Sequence, residues 1–87
     1  MSKFDKIHSK ITSRPIPADV KWVEIVYLLK QLGYDLLKPG KTGGSRRKFY
    51  NRDKDILICC HEPHPKPDVD KGCISDIVKH LKENGLI

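Results

Sequence analysis

Trp22, Ile25, Val26, Leu29 and Leu32 recur at three- and four-residue spacing, with Lys21, Glu24, Lys30 and Gln31 between them. That spacing gathers the apolar side chains into one stripe and predicts an amphipathic helix beginning after Asp19 and stopped by Gly33. A second stripe, Ile74, Ile77, Val78 and Leu81, predicts another helix, with Asp70 as its N-cap and Asn84-Gly85 as its stop. Between the two helices the pattern shortens. Tyr34 to Leu37 is a brief apolar-rich run, Arg47 to Asn51 carries Phe49 and Tyr50, and Ile56 to His61 puts Ile56, Ile58 and Cys60 on one face, so all three read as strands. The joins PGKTGG and NRDKD are turn sequences, far shorter than the dozen or so residues a crossover between parallel strands requires. The expected fold is therefore α+β: a three-stranded antiparallel sheet with two helices on one face, in the order α-β-β-β-α, over residues 18–87. Residues 1–17 are polar and basic, are closed by Pro15 and Pro17, and hold few apolar residues (Phe4, Ile7, Ile11). They are expected to form a tail that at most docks a short turn.

Size limits where a site can be. A chain of 87 residues buries only about 60% of the surface its unfolded form exposes, which leaves little room for a deep cavity and puts any site on the surface. No apolar stretch approaches the ~20 residues of a membrane span, and MSKFDKIHSK lacks the apolar centre of a signal peptide, so a soluble, cytoplasmic protein is expected. Cys59, Cys60 and Cys73 form no CxxC pair, and reduced, mostly buried thiols are expected. Cys60-His61-x-x-His64 lacks the four ligands of a structural zinc site, and neither metal nor cofactor is expected.

Charge sharpens the picture. The net charge is +6, and residues 38–54 alone contain seven cations (Lys38, Lys41, Arg46, Arg47, Lys48, Arg52, Lys54) against Asp53, which is 7 − 1 = +6. The rest of the chain is balanced, ten Lys/Arg against ten Asp/Glu. Such a focus attracts a polyanion, nucleic acid being the commonest; the plainer alternative is a solvated basic hairpin with no ligand.

The glycines beside these cations are not a nucleotide cradle. A phosphate-binding Walker loop needs a glycine where Asp35 stands and joins a strand to a helix, whereas the segment after GKT reads as a strand. Gly40 to Gly43 matches the GxxG of a KH domain in spacing, but that loop joins two helices. What remains is a hairpin in which Gly43 and Gly44 take positive φ.

A meander returns its third strand to the end where the first hairpin lies, so His61 is expected beside the cations, with His64, Lys66, Lys71 and the helix N-terminus at Asp70 to Gly72 within reach. Free N–H groups there suit a phosphate, and Arg46 or Arg47 suits a bidentate grip. Lys41, Ser45, Arg46, Arg47, Lys48, Lys66 and Lys71 are the candidate RNA contacts. Cutting RNA without a metal further requires a base for the 2′-hydroxyl, a cation for the phosphorane and an acid for the leaving oxygen. Imidazole, with an ordinary pKa near about 6.5, suits both proton roles, which makes His61, His64 and Arg46 the candidate catalytic set. The bland readings are that His61 ends an edge strand and that His64, between Pro63 and Pro65, caps a carbonyl. His8 and His80 are expected at the surface, and Trp22 and Tyr50 in the core.

LLKQLGYDLLKPG, TGGSRRKFYN, HEPHPKPDVDKG and IVKHLKENGLI, in that order, resemble the HicA family of toxin-antitoxin ribonucleases over roughly residues 19–87. The resemblance implies a double-stranded-RNA-binding-domain-like (dsRBD-like) fold, binding and cleavage of mRNA, growth arrest by the free toxin, and neutralisation by a HicB-type antitoxin protein. Family members typically carry a glycine-serine-histidine triplet whose histidine is catalytic; here the triplet is Gly44-Ser45-Arg46. A guanidinium with a pKa above about 12 cannot act as a base at neutral pH, although it can stabilise phosphorane charge. Either the proton chemistry has moved to His61 or His64, with Arg46, Arg47 and Lys48 holding the phosphate, or the chain is a non-catalytic RNA-binding module. A protein-interaction domain is the third possibility.

Overall fold

The period-two segments fold back on each other as a meander, with the 3.6-period segments packed on one side. The computed structural model describes residues 2–38, 46–63 and 66–87. In chain order the elements are α1 (Lys3–Thr12), α2 (Trp22–Gln31), β1 (Tyr34–Leu36), β2 (Arg46–Asn51), β3 (Ile56–His61) and α3 (Lys71–Glu83). The sheet is antiparallel in the order β1-β2-β3. Tyr34 faces Asn51 and Leu36 faces Phe49, while Arg46 faces His61, Lys48 faces Cys59 and Tyr50 faces Leu57.

Alternation along the strands gives the sheet two unlike faces. Tyr34, Phe49, Asn51, Ile58 and Cys60 are buried, with α2 packed on β1 and α3 on β3. Asp35, Arg46, Lys48, Leu57, Cys59 and His61 are exposed on the other face. Trp22 leans on Phe49 with ring centroids 5.7 Å apart and planes tilted by 53°, a geometry worth about 0.5–1.5 kcal/mol beyond area burial.

The predicted helix ends hold. Gly33 stops α2 at φ 96°, where a Cβ would lie 3.4 Å from Nδ2 of Asn51. That asparagine is 2% exposed. Its Nδ2 donates to the Leu32 carbonyl at 3.1 Å and its Oδ1 accepts the Lys54 N–H at 3.1 Å, tying the end of α2 to the β2–β3 turn. Asp70 caps α3, and Asn84 and Gly85 end it.

The amino-terminal segment is not a tail. Residues 3–12 form a full helix whose Ile7 and Ile11 are 2% and 0% exposed and belong to the same core as Ile25, Leu28, Ile74 and Leu81. Phe4, Ile7 and Ile11 are themselves at helical spacing, and Ser2 accepts the Asp5 N–H at 3.1 Å as an N-cap. Two isoleucines suffice because α1 packs on both α2 and α3, so each buried methyl group contacts the core between those helices. Lys10 secures the far end, donating to the Asp19 carbonyl at 2.9 Å and to Glu24 at 3.1 Å.

The proline-broken link between β3 and α3 is likewise anchored. Trp22 N–H donates to the Pro67 carbonyl at 2.9 Å and Val69 N–H to the Val20 carbonyl at 2.7 Å, around an antiparallel bridge of Lys21 with Asp68. The Lys21 ammonium pairs with the Asp68 carboxylate, a hydrogen bond that raises the lysine pKa. Val20 and Val69 are 0% and 3% exposed.

Candidate functional site

Arg46 opens β2 and His61 closes β3, and the two are register partners. Directly opposed residues in an antiparallel pair have Cβ atoms about 4.5–5.5 Å apart and project from the same face. The expected meeting of arginine and imidazole at one rim is thus present for Arg46 and His61, on the sheet face that, among the described residues, no helix covers. Lys48 follows two residues along the same face, opposite Cys59. Among the described residues, neither Arg46 nor Lys48 has an ion-pair partner. Lys41, Ser45 and His64 lie outside the described residues.

The pleat separates the two arginines expected to act together. Arg47 turns toward the helices: its Nε donates to Oε1 of Glu62 at 3.1 Å and its Nη1 to the Arg46 carbonyl at 3.0 Å, and its side chain is 21% exposed. Its fork is engaged within the protein, and it braces the chain just past His61. The basic segment is divided as well. Arg52 and Lys54 lie in the turn beyond Asn51, which is five strand residues from Arg46, or about 17 Å at 3.3 Å per residue. They do not reinforce the rim.

Lys66 and Lys71 are exposed on the link and at the first residue of α3. α3 packs on β3, with Cys60 of the strand and Ile74 of the helix in one core, as the meander leads one to expect. Two of the free N–H groups expected at this helix end are nevertheless taken. The Asp70 carboxylate accepts those of Gly72 at 3.0 Å and Cys73 at 3.3 Å, so it competes with a phosphate for these two donors and adds a negative charge beside them.

Two aromatic or imidazole positions differ from expectation. Tyr50 is half-buried on the open sheet face, and its hydroxyl donates to Asp55 at 2.7 Å, which raises the phenol pKa. His80 is half-buried, and its Nε2 lies 2.6 Å from the hydroxyl of buried Tyr34. Burial lowers the His80 pKa, with Glu83 opposing the shift. Both pairings escape sequence reading because their partners are distant in the chain or fixed by a turn geometry; for Tyr50, the position opposite Leu57 on the polar face was the available signal.

The family model described as "HicA toxin of bacterial toxin-antitoxin" matches residues 22–86. No curated protein and no solved structure matched the chain. The family match begins at the first residue of α2, so it leaves α1 outside and takes in the whole sheet, the rim and α3.

Proposed function

The chain belongs to the HicA toxin family, and from that premise we propose that this toxin binds mRNA and cleaves it as a metal-independent endoribonuclease, held inactive by a HicB-type antitoxin. The observation that carries the reading is the Arg46–His61 pair on the open sheet face. A 2′-hydroxyl placed over the pair gives up its proton to His61. The freed oxygen attacks the adjacent phosphorus, and the Arg46 guanidinium balances the charge that grows on the phosphorane oxygens. The 5′-oxygen leaves with a proton from His64, and the products are a 2′,3′-cyclic phosphate and a 5′-hydroxyl. Lys41, Ser45, Lys48, Lys66 and Lys71 hold the flanking backbone, while Arg47, engaged by Glu62, positions the strand end rather than gripping phosphate. An acidic antitoxin segment laid over Arg46 and Lys48 is the natural inhibitor, since it competes for the same charges. The site of action in this reading is the cytoplasm.

A second reading has its own observation. Gly44-Ser45-Arg46 puts a permanent cation where family members typically carry histidine, which suits a dsRBD-like module that holds RNA without cutting it. Induced expression separates the two. Growth arrest with loss of transcripts, relieved by a co-expressed HicB-type protein, supports the nuclease; continued growth with intact transcripts, and RNA retained on the purified protein, supports the binding module.

A further inference from the structure

The open face of the sheet changes in chemistry from one end of the β2–β3 ladder to the other. Arg46 and His61 form its first row, Lys48 and Cys59 the second, and Tyr50 and Leu57 the third, each pair in register. Rows two residues apart are separated by about 6.6 Å, so the third lies about 13 Å from the first. Asp35 of β1 extends the third row, because it is the register partner of Tyr50 and is exposed on the same face. Leu57 is 46% exposed, a large apolar side chain that the fold leaves in solvent. The Tyr50 hydroxyl is already engaged, donating to Oδ1 of Asp55 at 2.7 Å. Asp55 lies in the β2–β3 turn, so the ring is held toward that turn and away from the cations.

We propose that Tyr50 and Leu57 form a base-stacking subsite for single-stranded RNA, seating a nucleobase two rows away from the phosphate held at Arg46. This subsite rests on the RNA reading of the rim and adds to it a place for a base. A tyrosine ring offers a π-face on which any base can stack, and with its hydroxyl occupied it keeps one orientation before the ligand arrives. The opposed leucine, its Cβ about 4.5–5.5 Å from that of the tyrosine, widens the apolar floor. Lys48 stands between this floor and the rim, where an intervening backbone phosphate of an extended strand falls. The carboxylates of Asp35 and Asp55 beside the ring decide what the floor can take. They repel a phosphate, and equally an acidic peptide, whereas a base is uncharged and its amino groups donate to carboxylates. An acidic antitoxin segment therefore fits the Arg46 and Lys48 rows and not the Tyr50 row.

The test measures binding of a short 2′-O-methylated RNA, which has no free 2′-hydroxyl to be cleaved, beside a strand of the same length and backbone that lacks its bases. The full-length protein is expected to bind the base-bearing strand about five- to hundredfold more tightly, the range that one stacked base supplies. Tyr50→Ala is expected to lose most of that preference with no change in the slope of log affinity against log salt. Leu57→Ala loses part of it, and Tyr50→Phe, which keeps the ring, retains it. Exposed Cys59, in the row between platform and rim, gives a reading that needs no variant: its alkylation is expected to slow when the base-bearing strand is bound. Equal affinity of the parent protein for the two strands, parental preference in Tyr50→Ala, or an unchanged Cys59 rate overturns the platform and leaves phosphate binding at the rim standing. An equal loss in Tyr50→Phe traces the effect to the Asp55 hydrogen bond and overturns the stacking role. A parent protein that binds neither strand overturns the RNA reading, and the platform with it. Circular dichroism of each variant confirms that it is folded.

Discussion

Arg46 and His61 stand directly opposite each other at the end of the β2–β3 ladder, while Arg47, one residue along, turns to the other side of the sheet and pairs with Glu62. A single step in a strand therefore separates a cation aimed at solvent from one that braces the fold.

That separation predicts unlike behaviour for two adjacent arginines. Arg46→Ala removes one phosphate contact, so the slope of log affinity for single-stranded RNA against log salt becomes shallower by about 0.7. Arg47→Ala leaves the slope unchanged and lowers the thermal midpoint instead. Binding titrations at four or more salt concentrations check both, and equal slopes for the two variants contradict the division of labour.

Ile11 tests whether α1 is part of the domain. The side chain is fully buried, and truncating such an isoleucine costs about 2–5 kcal/mol. For a domain of this size Ile11→Ala is expected to lower Tm by about 10 °C or more. A midpoint unchanged from the parent, measured by thermal melting, returns residues 1–17 to the status of a tail.

The Tyr34–His80 contact makes stability depend on pH. Burial holds the folded-state pKa of His80 below its ordinary value, so near and below about pH 6.5 the unfolded chain takes up a proton that the folded chain resists. Stability is then lost as pH falls from neutrality and regained as it rises. The same ring is held by the Tyr34 hydroxyl, 2.6 Å from Nε2. His80→Gln keeps a hydrogen-bonding side chain without the titration, so its denaturant midpoint is expected to change less between pH 8 and pH 5 than that of the parent protein. Equal losses in the two proteins contradict the assignment.

Hydrophobic period carried most of the fold. The stripes at Trp22 to Leu32 and Ile74 to Leu81 became α2 and α3 with the stops at Gly33 and Asn84-Gly85, and the alternation at Ile56, Ile58 and Cys60 became the inward face of β3. The meander then followed from loop lengths, and with it the approach of His61 to Arg46. What escaped sequence reading depended on partners. Ile7 and Ile11 form too small a stripe to hold a helix in isolation, and α1 persists because α2 and α3 cover it. Arg47 and Arg46 are chemically alike, and only the register gives Arg47 to Glu62. Asp70 was legible as a cap, but the same carboxylate that makes it a good cap takes up two of the donors that made the helix end attractive to phosphate.

The central claim is that proton transfer at the rim belongs to imidazole while Arg46 supplies charge. The direct measurement incubates purified protein with RNA in the presence of a chelator and analyses the new ends. The nuclease reading predicts 2′,3′-cyclic phosphate ends from the parent protein, none from the His61→Ala, His64→Ala double variant, and retained RNA binding by that variant. Undiminished cleavage by the double variant contradicts it.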